Sequence, residues 1–142
     1  LFLNQKDSLI RGKGNLIANI FFPKYFFLII QPSFQCSTKQ MYKSFNPSDF
    51  NYKIEFDLEE INDQDSGNDF EKILKKNEPE FNSIMDYLNT LEGNLFSRLT
   101  GSGSCIFSVF EKKEEADKAQ LKFSADFPNL WSSVAQNNLI NL

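Results

Sequence analysis

A chain of 142 residues with 41% apolar and 15% aromatic content can bury one core of single-domain size and is too apolar to stay disordered. Its net charge of -4 makes a nucleic-acid phosphate backbone an unfavourable partner. The absence of histidine removes Ser-His and Cys-His nucleophile pairs and the commonest zinc ligand, so hydrolase and zinc-enzyme readings lose their usual parts and no metal ligand set is expected.

Leu1 to Gly14 intersperses Lys6, Asp7, Arg11 and Lys13 among apolar positions, which is not the layout of a secretory signal, and a cytoplasmic location is expected. The chain opens on leucine and Leu1-Phe2-Leu3 reads as the end of a strand, so a truncated product is expected. Tyr25 to Ile30 is a continuous apolar run enclosed by Pro23 and Pro32, which predicts a central strand buried on both faces. It falls far short of the roughly 20 residues that a membrane-spanning helix needs. Ser37 with Gln40 three positions later has capping-box spacing and predicts a helix from Thr38 to about Phe45, with Met41 and Phe45 on one face.

Residues 46 to 67 read as a polar surface excursion, and their carboxylates Glu59, Glu60, Asp63 and Asp65 lack the glycine and spacing of a calcium loop. Asn68 and Glu71 repeat the cap spacing and introduce a helix carrying Phe70, Ile73 and Leu74. Asn77-Glu78-Pro79-Glu80 starts the next helix, whose apolar positions Phe81, Ile84, Met85, Leu88 and Leu91 share one face and which Gly93 is expected to cap in a left-handed conformation. Leu95 to Leu99 and Cys105 to Phe110 are expected to pair as antiparallel strands. Lys112 to Ser124 predicts an amphipathic helix with Ala116, Ala119 and Phe123 inward, and Leu130 to Ala135 a last strand. The order β, α, α, α, β, β, α, β specifies an α+β two-layer sandwich. Cys36 and Cys105 have no close-spaced partner and are expected to be reduced structural thiols.

The stretch with most chemical content is Thr100-Gly101-Ser102-Gly103-Ser104 between the paired strands. Two glycines at alternate positions allow positive φ and can turn several amide hydrogens toward one anion, although a plain hairpin connection needs the same residues. The longer run from Ser97 and Arg98 through Thr100-Gly101-Ser102-Gly103-Ser104 to Cys105 resembles the C-terminal glycine-rich motif of the GHMP kinases, and within them that of the diphosphocytidyl-methylerythritol kinases. Gly67-Asn68-Asp69-Phe70-Glu71 resembles the Asn-Asp-Leu/Phe-Glu helix start of that family, and Ser37-Thr38 through Tyr42 its Ser-Thr-x-x-x-Phe/Tyr element. Upstream, Leu9 to Ile20 with Gly12-Lys13-Gly14 is similar to the strand and Gly-x-Gly turn that precede the C-terminal domain.

The resemblance implies a ferredoxin-like sandwich with a mainly antiparallel sheet and helices on one face. It also implies a division into residues 1–22, the end of an N-terminal kinase domain and its linker strand, and residues 23–142, the C-terminal domain. The implied activity is transfer of the γ-phosphate of ATP, with Mg²⁺, to the 2-hydroxyl of 4-diphosphocytidyl-2-C-methyl-D-erythritol in non-mevalonate isoprenoid biosynthesis. Thr38 and Tyr42 are implied on the substrate, with Tyr42 stacked on its cytosine, and Thr100, Gly101, Ser102, Gly103 and Ser104 beside the phosphates. Arg98 could reach a phosphate or be an ordinary surface charge. The family's phosphate loop and its Asp-x-Pro base have no counterpart here, so ATP and Mg²⁺ are expected mainly on a missing N-terminal half, and the chain alone is expected to be inactive. Another GHMP kinase, of homoserine or mevalonate type, and a free-standing ferredoxin-like module that binds a small ligand or regulates a partner stay open beside this reading.

Overall fold

The computed structural model describes residues 8–11, 16–19, 23–46 and 67–137. Strands β1 (Ser8–Arg11) and β2 (Leu16–Asn19) pair antiparallel, from Ser8 opposite Asn19 to Arg11 opposite Leu16. The expected Gly12-Lys13-Gly14 turn and the excursion from 47 to 66, with its acidic residues, lie outside the described residues.

The remaining strands are β3 (Phe26–Gln31), β4 (Phe96–Leu99), β5 (Ile106–Phe110) and β6 (Trp131–Gln136). They form one antiparallel sheet in the order β4-β5-β3-β6. The helices α1 (Thr38–Ser44), α2 (Glu71–Asn77), α3 (Pro79–Leu88) and α4 (Lys113–Asp126) occupy the connections after β3 and β5. This is the expected α+β sandwich of ferredoxin-like order, with β3 inside the sheet.

β3 departs from the expected burial on both faces. Phe26, Leu28 and Ile30 are buried, whereas Phe27 and Ile29 are half-buried and Gln31 is exposed. The physical reason is that the helices cover one face of the sheet: Met41, Leu74, Phe81, Ile84, Leu88, Ala116 and Phe123 join Leu28, Ile30, Ile106 and Phe110 in a single core. On the other face Tyr25, Phe96 and Val109 form a smaller cluster with Phe27 and Phe107 against it. A continuous apolar run therefore serves two unequal faces.

Helix α3 starts as its sequence dictates, with Pro79 in the first turn, where a missing N–H costs nothing. It ends at Leu88, three residues before the last apolar position of its pattern. The amides of Thr90 and Leu91 continue in tighter i to i+3 turns onto Tyr87 and Leu88, so Leu91 still reaches the core at 6% exposure. Gly93 has the expected positive φ of 77°, but beyond this turn and not at the helix cap. Asn94 then ties the helix end to the sheet, donating to the Leu88 carbonyl (3.0 Å) and to Ser97 Oγ (3.1 Å), which bonds Ser108 Oγ at 2.7 Å inside the core.

Helix α4 shows why small residues matter at its contact. Ala116 and Ala119 let the backbone approach the sheet, and Phe123 fills the space beyond them. The Tyr87 ring meets Phe123 and Phe127 edge-on, and its hydroxyl donates to Asp126 Oδ2 at 2.6 Å. Burial, and then the Asp126 carboxylate, pushes the Tyr87 phenol up to about 12 from its ordinary value of 10.0. A raised value means that the folded chain holds this proton more tightly than the unfolded one. The stabilisation is complete below pH 10.0 and is lost as pH climbs toward about 12. We therefore expect the unfolding midpoint of the wild type to fall across this window more steeply than that of Tyr87→Phe; parallel curves would contradict the assignment.

Candidate functional site

Where β4 turns into β5, the chain opens a cavity of about 720 Å³. Thr38 and Tyr42, one turn apart on α1, form one wall; Asn68, Asp69 and Phe70, at the entry to α2, form another. Gly101 and Ser102 close the side toward the sheet, with Arg98 and Phe107 below. Tyr42 is 65% exposed, and its ring rests edge-on against Phe70 at 5.0 Å. Most of the ring is thus left to solvent while this contact orients it.

The structure brings together Thr38, Tyr42, Gly101 and Ser102 from the residues singled out in the sequence; Thr100, Gly103 and Ser104 sit in the same loop without lining the cavity. The Thr38 and Ser102 hydroxyls are 2.9 Å apart, so helix and loop are joined directly. Inside the loop, Thr100 N donates to the Cys105 carbonyl and Gly103 N to that of Thr100, both at 2.8 Å. The amides of Gly101, Ser102 and Ser104 have no acceptor among the described residues. Positive φ at Gly101 (48°) and Gly103 (96°) makes this turn possible. Arg98 lies over the Phe96 ring (5.5 Å) and donates to the carbonyl of Ser97 (2.7 Å).

The two capping boxes expected from sequence are not formed. Ser37 occupies the N-cap of α1 without a side-chain bond, and the N-cap of α2 is Phe70. Asn68 accepts from Phe70 N (3.0 Å), which does shape the entry to α2, but its amide group donates away from the helix, to the carbonyls of Leu99 and Gly101, both at 2.8 Å. Glu71 is buried and accepts from Leu99 N at 2.9 Å. Spacing alone finds a side chain that bonds to backbone, but it cannot tell whose backbone.

The sequence also concealed Gln31 and Cys36. Gln31 donates to Ser104 Oγ and accepts from Cys105 Sγ, both at 3.0 Å. Cys36 packs where a side chain on Gly103 would have to stand. Both cysteines are free thiols, and burial together with the Glu78 carboxylate raises Cys36, which keeps it protonated. No signal short of the folded topology links these positions to a loop some 70 residues later.

The family model described as "GHMP kinases C terminal" matches residues 54–129, more than half of the chain. The chain belongs to the GHMP kinase C-terminal family. A 4-diphosphocytidyl-2-C-methyl-D-erythritol kinase of Pelagibacter ubique is 36% identical over 113 residues, covering 76% of this chain and 40% of the relative. The kinase of the same name from Anaplasma phagocytophilum is 28% identical over 157 residues, covering 99% of this chain and 53% of the relative. This member of the GHMP kinase C-terminal family thus spans about half the length of the curated relatives it matches. A crystal structure of 4-(cytidine 5'-diphospho)-2C-methyl-D-erythritol kinase superposes with a TM-score of 0.71 at 22% identity, over 89% of this chain and 48% of that one. Homoserine kinase from Cytophaga hutchinsonii follows with a TM-score of 0.61 at 18% identity, over 91% and 47%. At these identities the superpositions establish the shared fold.

Proposed function

We propose that this chain forms the C-terminal part of an ATP-dependent kinase acting on the 2-hydroxyl of 4-diphosphocytidyl-2-C-methyl-D-erythritol, in isoprenoid biosynthesis. The observation that carries the proposal is the meeting, in one cavity, of an exposed aromatic ring, Tyr42, with a glycine-rich turn whose Gly101 and Ser102 amides have no acceptor among the described residues. A cytidine diphosphate group asks for such a pair: a flat face for the base and N–H donors for the phosphates. The names of the relatives support the same substrate.

In this reading Tyr42 stacks on cytosine, Thr38 lines the same wall, and the segment from Thr100 to Ser104 lies beside the phosphates, each binding or orienting. No residue of the chain is given the role of base. Magnesium would neutralise charge on the transferred phosphate. Among the described residues no three Asp, Glu, Cys or His side chains come together to hold a metal, so none is assigned to it. The chain by itself is expected to bind and not to turn over.

Titration of the chain with cytidine diphosphate, followed by NMR, tests the proposal. Wild type is expected to bind through Tyr42 and the loop amides, and Tyr42→Ala to bind roughly 5- to 150-fold more weakly, as the loss of one base stack implies. The melting temperature should hardly move, because the ring is mostly in solvent. Absence of binding to wild type, or equal affinity in Tyr42→Ala, would overturn the assignment and favour a kinase of homoserine type or a non-catalytic module.

A further inference from the structure

Two glycines in a six-residue connection leave the β4–β5 turn pliable beyond its two internal bonds, Thr100 N to the Cys105 carbonyl and Gly103 N to that of Thr100. Further support comes from outside the turn. Asn68 commits both of its N–H groups here, to the Leu99 and Gly101 carbonyls, while its Oδ1 takes the Phe70 N–H at the entry to α2. The Leu99 residue is held from two sides, since its own N–H goes to the buried Glu71 carboxylate. The Gly101 carbonyl of the turn and the Leu99 carbonyl just before it are therefore directed at Asn68, while the amides of Gly101 and Ser102, in the cavity wall, have no acceptor among the described residues. A turn released from Asn68 could rotate these peptides and present carbonyl oxygens to the same space, which would repel an anion.

We propose that Asn68 is a positioning residue that sets the Gly101–Ser102 peptides so that N–H groups, and not carbonyls, face the anionic part of the ligand. The ligand half of this inference rests on the phosphate reading of the loop; the hold on the backbone does not. It goes beyond helix capping, because capping needs only Oδ1.

Two substitutions separate the roles. Asn68→Asp keeps an acceptor for Phe70 N and loses both donors; Asn68→Ser keeps an acceptor and a single shorter O–H donor, which cannot serve the Leu99 and Gly101 carbonyls together, without adding charge. Amide hydrogen exchange of the 142-residue chain is measured by NMR, and inorganic pyrophosphate is titrated as the probe. In both variants the Thr100 and Gly103 amides are expected to exchange about tenfold faster or more, in line with the loss of at least one of the two hydrogen bonds, while the Leu74 and Glu78 amides in and after α2 keep their protection. The dissociation constant for pyrophosphate is expected to rise about tenfold or more in Asn68→Ser as well as in Asn68→Asp. Unchanged exchange at Thr100 and Gly103 would overturn the hold of Asn68 on the backbone. Faster exchange with undiminished pyrophosphate binding would overturn its positioning role. If the wild-type loop amides ignore pyrophosphate, the phosphate reading and the ligand half both fall, and the exchange data alone decide whether Asn68 fixes the turn.

Discussion

Replacing Gly103 by valine is expected to cost about 2–6 kcal/mol of folding stability, combining a strained backbone with an overfilled contact. The φ of 96° lies where L side chains rarely go, and a Cβ there would stand 2.7 Å from Cys36 Sγ, 3.1 Å from Cys36 Cβ and 3.3 Å from Leu99 Cδ1. Gly101 is the contrasting position. Its φ is 48°, with nothing within 4 Å of an added Cβ, so Gly101→Ala bears only the left-handed backbone cost of about 1–2 kcal/mol. Urea denaturation of the two series checks this ranking. Adding Cys36→Ala to Gly103→Ala should recover part of the loss, since it removes the nearer of the colliding atoms, while the φ cost stays. Equal costs at Gly101 and Gly103, or no recovery from Cys36→Ala, would show that the crowding does not exist.

Phe123→Ala is expected to cost about 3–5 kcal/mol, a large share of the 5–15 kcal/mol that a domain of this size commonly has. Its ring is fully buried, stacked on Phe127 with centroids 4.7 Å apart and met edge-on by Tyr87 at 5.9 Å. The two alanines before it on α4, Ala116 and Ala119, are too small to fill the hole themselves, so most of the cavity cost is expected to remain. Leu121→Ala on the same helix is the control. That residue is 74% exposed, and its truncation should change stability by no more than about 0.5 kcal/mol. Thermal or urea unfolding of both variants suffices, and comparable losses from the two would contradict the helix orientation.

The fold was legible because periodicity marks what packs. The i, i+3, i+4, i+7 positions of α3 and the spacing of Ala116, Ala119 and Phe123 on α4 each identify one buried face, whereas turn chemistry located the start of α3 at Pro79 but not its end, since Gly93 stands beyond the cap. β3 was legible as the central strand but not in the depth of its second face, since an unbroken apolar run does not say how much cover each side receives. At the site, Gly101 and Gly103 were legible because positive φ leaves so few alternatives. Gln31, Cys36 and the true bonds of Asn68 and Glu71 were not, for these are common residues whose meaning depends on a turn far along the chain. The capping-box spacing of Asn68 and Glu71 had the right chemistry, side chains that satisfy backbone groups, and the wrong address.

The supports of the glycine-rich turn come from Gln31, Thr38 and Asn68, separated from their contacts by 73, 64 and 33 residues respectively. Each can act only once its own element, β3, α1 or the entry to α2, has docked, because each such closure costs chain entropy before any contact offsets it. The local bonds of the turn are thus expected to form early with the β4–β5 hairpin, and its long-range supports to follow, so that the cavity wall takes its final shape only after the parts beneath it.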